Sequence, residues 1–235
     1  MPDFATRSGD VEIMDDLQCS GDVVKQTLRE LETINRFLGG NNVTLKGLDQ
    51  LMHARTNSQL LLADLGCGGG EMLRLIRKWS NTQKIDVDLL GIDANPFIIQ
   101  YARGNTLNTH RINYEVLDIF SDTFKQKRFD IVTATLFFHH FSDDALVQIF
   151  SRLGKQVRIG MVINDIHRHW AAYFFIKWIT RLFSRSGMVR FDAPLSVLRA
   201  FRRKDWETIL KKSGFTNYTI KWMWAFRWQV VVRME

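Results

Sequence analysis

The segment Ala63-Asp64-Leu65-Gly66-Cys67-Gly68-Gly69-Gly70 constrains this chain more than any other stretch. It closes an apolar run, LLLADLG over 60–66, that reads as a buried strand, and it precedes EMLRLIRKW over 71–79, which has helical spacing. A strand that turns through glycines into a helix lets the backbone approach a ligand where a Cβ would collide. The first amides of that helix then point at any anion in the turn. A glycine loop alone would also suit a nicotinamide enzyme. Here, however, the place that wants a third glycine or alanine in G-x-G-x-x-G holds Glu71. An acid, Asp64, stands two residues before the first glycine, so the pattern is D-x-G-x-G-x-G.

Strand and helix patterns alternate through the rest of the chain. DVDLLGID (86–93) reads as a second strand, with Pro96 opening the helix PFIIQYAR. INYEVLD (112–118) and FDIVTATL (129–136) are a third and a fourth, and Ser142 is placed to cap the helix ALVQIFSRL. VRIGMVIND (157–165) is a fifth, followed by a long helical insertion and the helix KDWETILKKSG. YTIKWMW and RWQVVVR are close enough to pair as a hairpin. Upstream, Val24, Leu28, Leu31, Ile34 and Leu38 recur at helical spacing until Gly39-Gly40 stops them. Such alternation predicts an α/β, doubly wound, mainly parallel sheet covered on both faces. Ligands then bind outside the carboxyl ends of the strands, at the switch point. With no internal repeat or linker, the 235 residues predict a single domain over 1–235. Residues 1–45 form a helical cap and 167–200 a helical insertion or lid.

The glycine loop resembles the cofactor loop of class I S-adenosylmethionine-dependent methyltransferases, and three further segments match that family in order. Asp93 ends the second strand in GIDANP, like the family acid that accepts from the cofactor ribose. Asp118 ends the third in EVLDIF, like the acid that reads the adenine amino group, with Ile119 beside the ring. FDIVTATLFFHHFSDD is similar to the segment under the methionine end of the cofactor. These matches span roughly residues 60–145. The resemblance implies a Rossmann-like, seven-stranded sheet with an antiparallel last strand. It also implies S-adenosylmethionine as donor and S-adenosylhomocysteine as product. The cofactor-binding residues would be Asp64, Gly66, Cys67, Gly68, Gly70, Asp93, Ala94, Asp118, Ile119 and Thr135. The chemistry agrees, because ribose hydroxyls and an adenine amino group are donors that want carboxylate acceptors.

A closer likeness concerns the acceptor. EIMDD, INRFLGG and MVRFDAPLSVLRAFRRKDW resemble methyltransferases encoded beside bacterial aromatic polyketide synthases. The His139-His140 step is similar to one in quinone-biosynthesis methyltransferases. Both imply a small phenolic, polyketide or quinone-like acceptor methylated on oxygen. A phenol near pKa 10 gives its proton to a histidine near 6.5 at a cost of ~5 kcal/mol, so a base is wanted. His140, Asp165 and His167 are the catalytic candidates, with Arg190, Arg199 and Arg202 of the insertion available to favour an anionic acceptor.

Other classes fit less well. Metal-using catechol methyltransferases place a carboxylate at the end of the fourth strand, where this chain has Thr135, so no metal is expected. Residues 1–151 hold 15 Lys/Arg and 20 Asp/Glu, whereas 152–235 hold 17 and 5, balances of −5 and +12. The basic half would suit an RNA or protein methyltransferase. Nucleic acid is nevertheless not the expected partner, because Thr135-Leu136-Phe137-Phe138 replaces the Asn/Asp-Pro-Pro-aromatic step of amino-group enzymes. A non-catalytic cofactor-binding module is a third reading. Cys19 and Cys67 make neither a disulfide framework nor a zinc site. With no secretory signal and no transmembrane run, a cytoplasmic protein is expected. Residues 170–185 read as a helix with a wide apolar face and a polar stripe of Lys177, Thr180, Arg181 and Ser184. That helix could cover the pocket, form a homodimer contact or lie peripherally on a membrane.

Overall fold

The computed structural model describes residues 2–52, 59–106 and 110–234. In chain order its elements are α1 (Asp22–Phe37), α2 (Asn41–Leu51), β1 (Leu60–Leu65), α3 (Glu71–Gln83), β2 (Val87–Asp93), α4 (Pro96–Gly104), β3 (Ile112–Val116), α5 (Asp122–Gln126) and β4 (Phe129–Thr135). There follow α6 (Asp143–Gln156), β5 (Val157–Ile166), α7 (Trp170–Phe183), α8 (Gly187–Arg199), α9 (Arg203–Lys212), β6 (Tyr218–Met223) and β7 (Arg227–Arg233). The strands form one seven-stranded sheet in the order β3-β2-β1-β4-β5-β7-β6. β7 runs antiparallel to β5 and β6, and all other neighbours are parallel. The order reverses between β1 and β4, so the crevice expected for a ligand lies at their carboxyl ends.

The sheet is apolar on both faces because helices cover both. One core gathers Phe138, Phe150, Trp206 and Phe201 beneath α6 and α9; the other packs Leu48 of α2 and Leu73 and Ile76 of α3 against Leu62, Leu89 and Val162. Several caps follow the sequence: Asn95 accepts from the Phe97 and Ile98 amides, and Ser142 from that of Ala145. α2 is not announced by its pattern, since NNVTLKGLDQL is short, polar and glycine-containing. Its reason is tertiary. A Cβ on Gly47 would lie 2.4 Å from Val162 Cγ1, so glycine lets α2 lie flat on β5.

The insertion after β5 consists of α7 and α8, and the sequence leaves the facing of α7 open. Thr180 and Ser184 of the supposed polar stripe are buried, while Trp170, Phe174, Trp178 and Leu182 are 53–65% exposed. The hydroxyls are satisfied locally. Thr180 Oγ1 donates to the Ile176 carbonyl at 2.8 Å, and Ser184 Oγ donates to Glu30 of α1. A hydroxyl bonded within its own helix can face inward at little cost, which leaves the aromatic side of α7 outward.

Candidate active site

A cavity of about 630 Å³ opens at the carboxyl ends of β1, β2 and β4. Its floor is the glycine loop. Gly66 has φ +64°, and a Cβ there would fall 2.1 Å from the Phe137 ring, so the loop can follow β1 only with glycine at that place. Asp64 lies beneath it, 2% exposed, accepting from Thr133 Oγ1 at 2.7 Å. Burial pushes its carboxyl up to about 7; the Thr133 hydrogen bond offsets part of this, and Asp93 adds to it. Asp93 ends β2 and accepts from the Asn95 amide at 3.0 Å. Burial raises it too, against hydrogen bonds from the Asn95 and Gly68 amides. At the rim stands Asp118, exposed, with Oδ1 taken by the Phe120 amide at 2.8 Å. Cys67, Gly68, Ala94, Ile119 and Thr135 line the same cavity, and Thr135 Oγ1 is 2.9 Å from Thr44 Oγ1. Burial holds the Cys67 thiol well above its usual value, so it is a neutral wall.

Gly70 is the exception among the expected cofactor residues. It lies outside the cavity lining, caps α3 with φ +76°, and would drive a Cβ into Tyr114 Oη at 2.1 Å. It shapes the loop rather than touching its contents.

The opposite wall is assembled from distant segments. A turn at Phe138–His140 follows β4, anchored by Phe138 against Phe150. Asp165, fully buried, holds that turn: Oδ2 accepts from the Phe138 and His139 amides at 3.0 and 3.3 Å, and Oδ1 meets His139 Nδ1 at 2.7 Å. Burial would raise Asp165, but the charge and hydrogen bond of His139 and the Ile166 amide bring it below the usual range. In the neutral tautomer that donates Nδ1–H to Asp165, Nε2 of His139 carries the lone pair. It lies 3.7 Å from Oε1 of Glu12, which reaches in from the N-terminal segment. Among the described residues that oxygen is buried without a hydrogen-bond partner, while Oε2 accepts from Ser196 Oγ at 2.9 Å. Burial pushes Glu12 up to about 7, opposed by His140 and Arg199.

His140 makes a second, outer pair. Its Nδ1 is 2.6 Å from Asp15 Oδ1, and Arg199 binds both Asp15 and the His140 carbonyl, the latter at 2.7 Å. Burial alone would raise Asp15, but hydrogen bonds from His140 and Arg199 hold it well below the usual range. The two histidine rings lie 4.2 Å apart. Glu12, His139 and His140 bring one ligand atom each within 4.8 Å of one another, a spacing that could suit a metal ion. Arg199 stands 3.7 Å from Glu12 Oε1, and a fixed guanidinium there opposes a second cation. Arg227, at the start of β7, completes the wall. It is buried, donates from Nη2 to Asn35 Oδ1 at 3.0 Å, and leaves Nη1 without an acceptor among the described residues. Burial lowers it to about 10, against the pull of Asp165.

Several expectations need correction. Asp165 does not line the cavity; it lies behind it and hydrogen-bonds the His139 ring. His167 lies outside the lining as well, because β5 ends before it and its ring turns onto Trp228 and His169. Burial lowers it to about 4, helped by His169 and Arg202. Arg190 is spent on the Ser184 carbonyl and Arg202 is exposed, so only Arg199 of the three arginines reaches the histidines. Nothing in the sequence marks Arg227 as a site residue, and Glu12 and Asp15 stand out only as part of the resembling segment EIMDD. His139 was visible only as the neighbour of His140.

Comparison with known proteins agrees with this geometry. Residues 62–160 match a family model described as a methyltransferase domain. Des-methyl DIF-1 methyltransferase A of Dictyostelium discoideum is 22% identical over 174 residues, covering 70% of this chain and 44% of that protein. The chain thus spans less than half the length of that relative. The plantazolicin methyltransferase BpumL, solved in complex with SAH, superposes with a TM-score of 0.63 at 18% identity, covering 90% of this chain and 89% of that one. The CurJ carbon methyltransferase gives 0.60 at 19% identity, covering 82% and 53%. The glycine loop, the acids after β2 and β3 and the β1–β4 switch point all fall inside the segment that matches the methyltransferase-domain model, and the sheet has the Rossmann-like fold of class I methyltransferases.

Proposed function

We propose that this protein transfers a methyl group from S-adenosylmethionine to an oxygen of a small phenolic, polyketide or quinone-like acceptor. The floor of the cavity fits the cofactor. Asp93 and Asp118 present acceptors where ribose hydroxyls and an amino group need them, and buried Asp64 lacks a cation that an ammonium would supply. When bound, the cofactor supplies an electrophilic methyl group on a sulfonium sulfur. An aligned nucleophile needs little more, since orientation alone lowers such barriers by roughly 7–11 kcal/mol.

One observation carries the acceptor side: His139 Nε2 faces Glu12 Oε1, which has no hydrogen bond among the described residues, while Asp165 holds the other ring nitrogen at 2.7 Å. An acceptor hydroxyl placed against that pair would give its proton to Nε2 as its oxygen takes the methyl group that a cofactor held by the floor would supply, the sulfur leaving as the neutral thioether. Asp165 stabilises the resulting imidazolium, as an orienting carboxylate does in other histidine bases. Arg227 adds positive potential that favours an anionic acceptor oxygen. The base is assigned to His139 rather than His140 because Asp15, the carboxylate of His140, is shared with Arg199.

The reading is tested by offering phenolic, quinone-like and fatty-acid-like acceptors with labelled cofactor and following products by mass spectrometry. O-methylated phenol is the expected product. Label transferred only to carbon, or to none of the acceptors, overturns it.

A further inference from the structure

The outward face of α7 is unusual for a helix at a protein surface. Trp170, Phe174, Trp178 and Leu182 recur at i, i+4 spacing and are 60, 53, 65 and 55% exposed, with Phe183 beyond them at 77%. Beside them the end of β6 presents Trp222 and the turn into β7 presents Trp224, 48 and 64% exposed. Phe226 joins the two elements, with ring centroids 6.4 Å from Phe175 and Trp224 and 6.3 Å from Trp222. Isolated exposed apolar side chains are ordinary, but a contiguous set of this kind marks an interaction surface.

The charges around it identify the partner. Between Asp165 and Asp192 the chain has no acid but carries Arg168, Lys177, Arg181, Arg185 and Arg190; between Glu207 and Glu235 it again has none. Lys177, Arg181 and Arg185 are exposed on or just after α7, and Lys221 is exposed on β6. A two-fold contact with a second copy would set this basic rim against itself. A leaflet containing anionic lipids satisfies both parts at once, taking tryptophan and phenylalanine at the headgroup level and lysine and arginine against the phosphates. Among the described residues no helix is long and apolar enough to cross a membrane, so contact would lie in the plane of the interface.

The patch is also continuous with the cavity. Phe175 and Phe226 belong to both, and Ala172, Ile176 and Ala225 of the same two elements line the cavity wall. We propose that α7 and the β6–β7 turn seat the protein on an anionic bilayer surface, and that a lipophilic acceptor reaches the cavity from that side. The second part rests on the methyl-acceptor reading above; the first does not.

Flotation with vesicles of phosphatidylglycerol and phosphatidylcholine, compared with phosphatidylcholine alone, tests the docking. Binding should be strong only to the anionic vesicles, with tryptophan emission shifted to the blue and quenched by brominated acyl chains. Trp170→Ser/Trp178→Ser/Trp224→Ser should abolish it, and Lys177→Gln or Arg181→Gln should each weaken it about fivefold. Circular dichroism of these surface variants checks that they fold. No binding to anionic vesicles overturns the docking; so does a vesicle-free dimer, seen by sedimentation equilibrium, that the triple variant dissolves. For the acceptor route, a phenol with a long acyl tail held in vesicles is compared with a water-soluble phenol. The triple variant should lose turnover on the first alone. Equal loss on both, or on neither, overturns the route while leaving the docking result standing. Failure of the wild type to methylate either phenol overturns the functional reading instead.

Discussion

The two walls of the cavity are built in opposite ways. The floor, from β1 through β4, is one continuous stretch in which each functional residue lies at or just past the end of a strand. The roof is a convergence: Glu12 and Asp15 from the N-terminal segment, His139 and His140 from the turn, Asp165 from β5, Arg199 from α8 and Arg227 from β7. Strand ends of a parallel sheet are fixed by the sheet itself, so a floor of this kind serves many chemistries. The roof holds together by charge in a buried place, where each group depends on its neighbours.

If that contrast is right, the roof should govern turnover and the floor affinity. The largest effect is expected at the His139–Asp165 pair. His139→Ala should lower kcat by about 10²–10⁴, the usual worth of a positioned base, with cofactor affinity unchanged by calorimetry. A more acidic phenol, already ionised at the assay pH, should restore most of that rate. Equal slowness on ionised and neutral acceptors would give His139 a purely structural place. His140→Ala should cost less than His139→Ala; the reverse order would return the base to His140.

Glu12 tests whether the roof is strained by its own burial. Its carboxyl is raised from the ordinary 4.5 to about 7. Between those values the folded protein holds a proton that the unfolded chain has released. Stability of the cofactor-free protein should therefore fall as pH rises through that window, by up to about 3 kcal/mol from this group. Buried Asp64, also raised to about 7, acts in the same direction. Urea denaturation at pH 4.5, 6 and 7.5 should show the slope, and Glu12→Gln should flatten it. An unchanged slope would mean that Glu12 is ionised in the folded protein.

On the floor, Asp93→Ala should weaken cofactor binding by roughly 1.5–3 kcal/mol, the loss of a charge-assisted acceptor. Unchanged affinity in a folded variant would remove Asp93 from the ribose site. The smallest effect is expected at His167, which lies off the cavity. His167→Gln should leave kcat unchanged. It should also remove a loss of stability that appears as pH falls from about 6.5 toward 4, because the folded protein keeps this ring neutral while the unfolded chain protonates. A large loss of kcat would place His167 back at the chemistry.

The sequence by itself determined the sheet and the floor of the site. The strands read at 60–66, 86–93 and 129–136 from apolar runs and their breakers end within a residue of Leu65, Asp93 and Thr135, and the glycine turn follows the first of them. These signals are local: alternation, caps and positive φ are dictated by near neighbours in the chain. What only the tertiary structure decided is the roof and the facing of α7. Glu12 and His139 are separated by more than a hundred residues and meet because α8 packs over the turn after β4, a contact that leaves no periodicity behind. Arg227 reads as one more strand residue until the fold buries it. In α7, the sequence showed a wide apolar face beside a polar stripe and left its use open; the structure buries Thr180 and Ser184 through their own hydrogen bonds, keeps Lys177 and Arg181 exposed, and leaves the aromatic side out. Periodicity gives a helix its two faces; which of them is covered depends on what the rest of the chain brings against it.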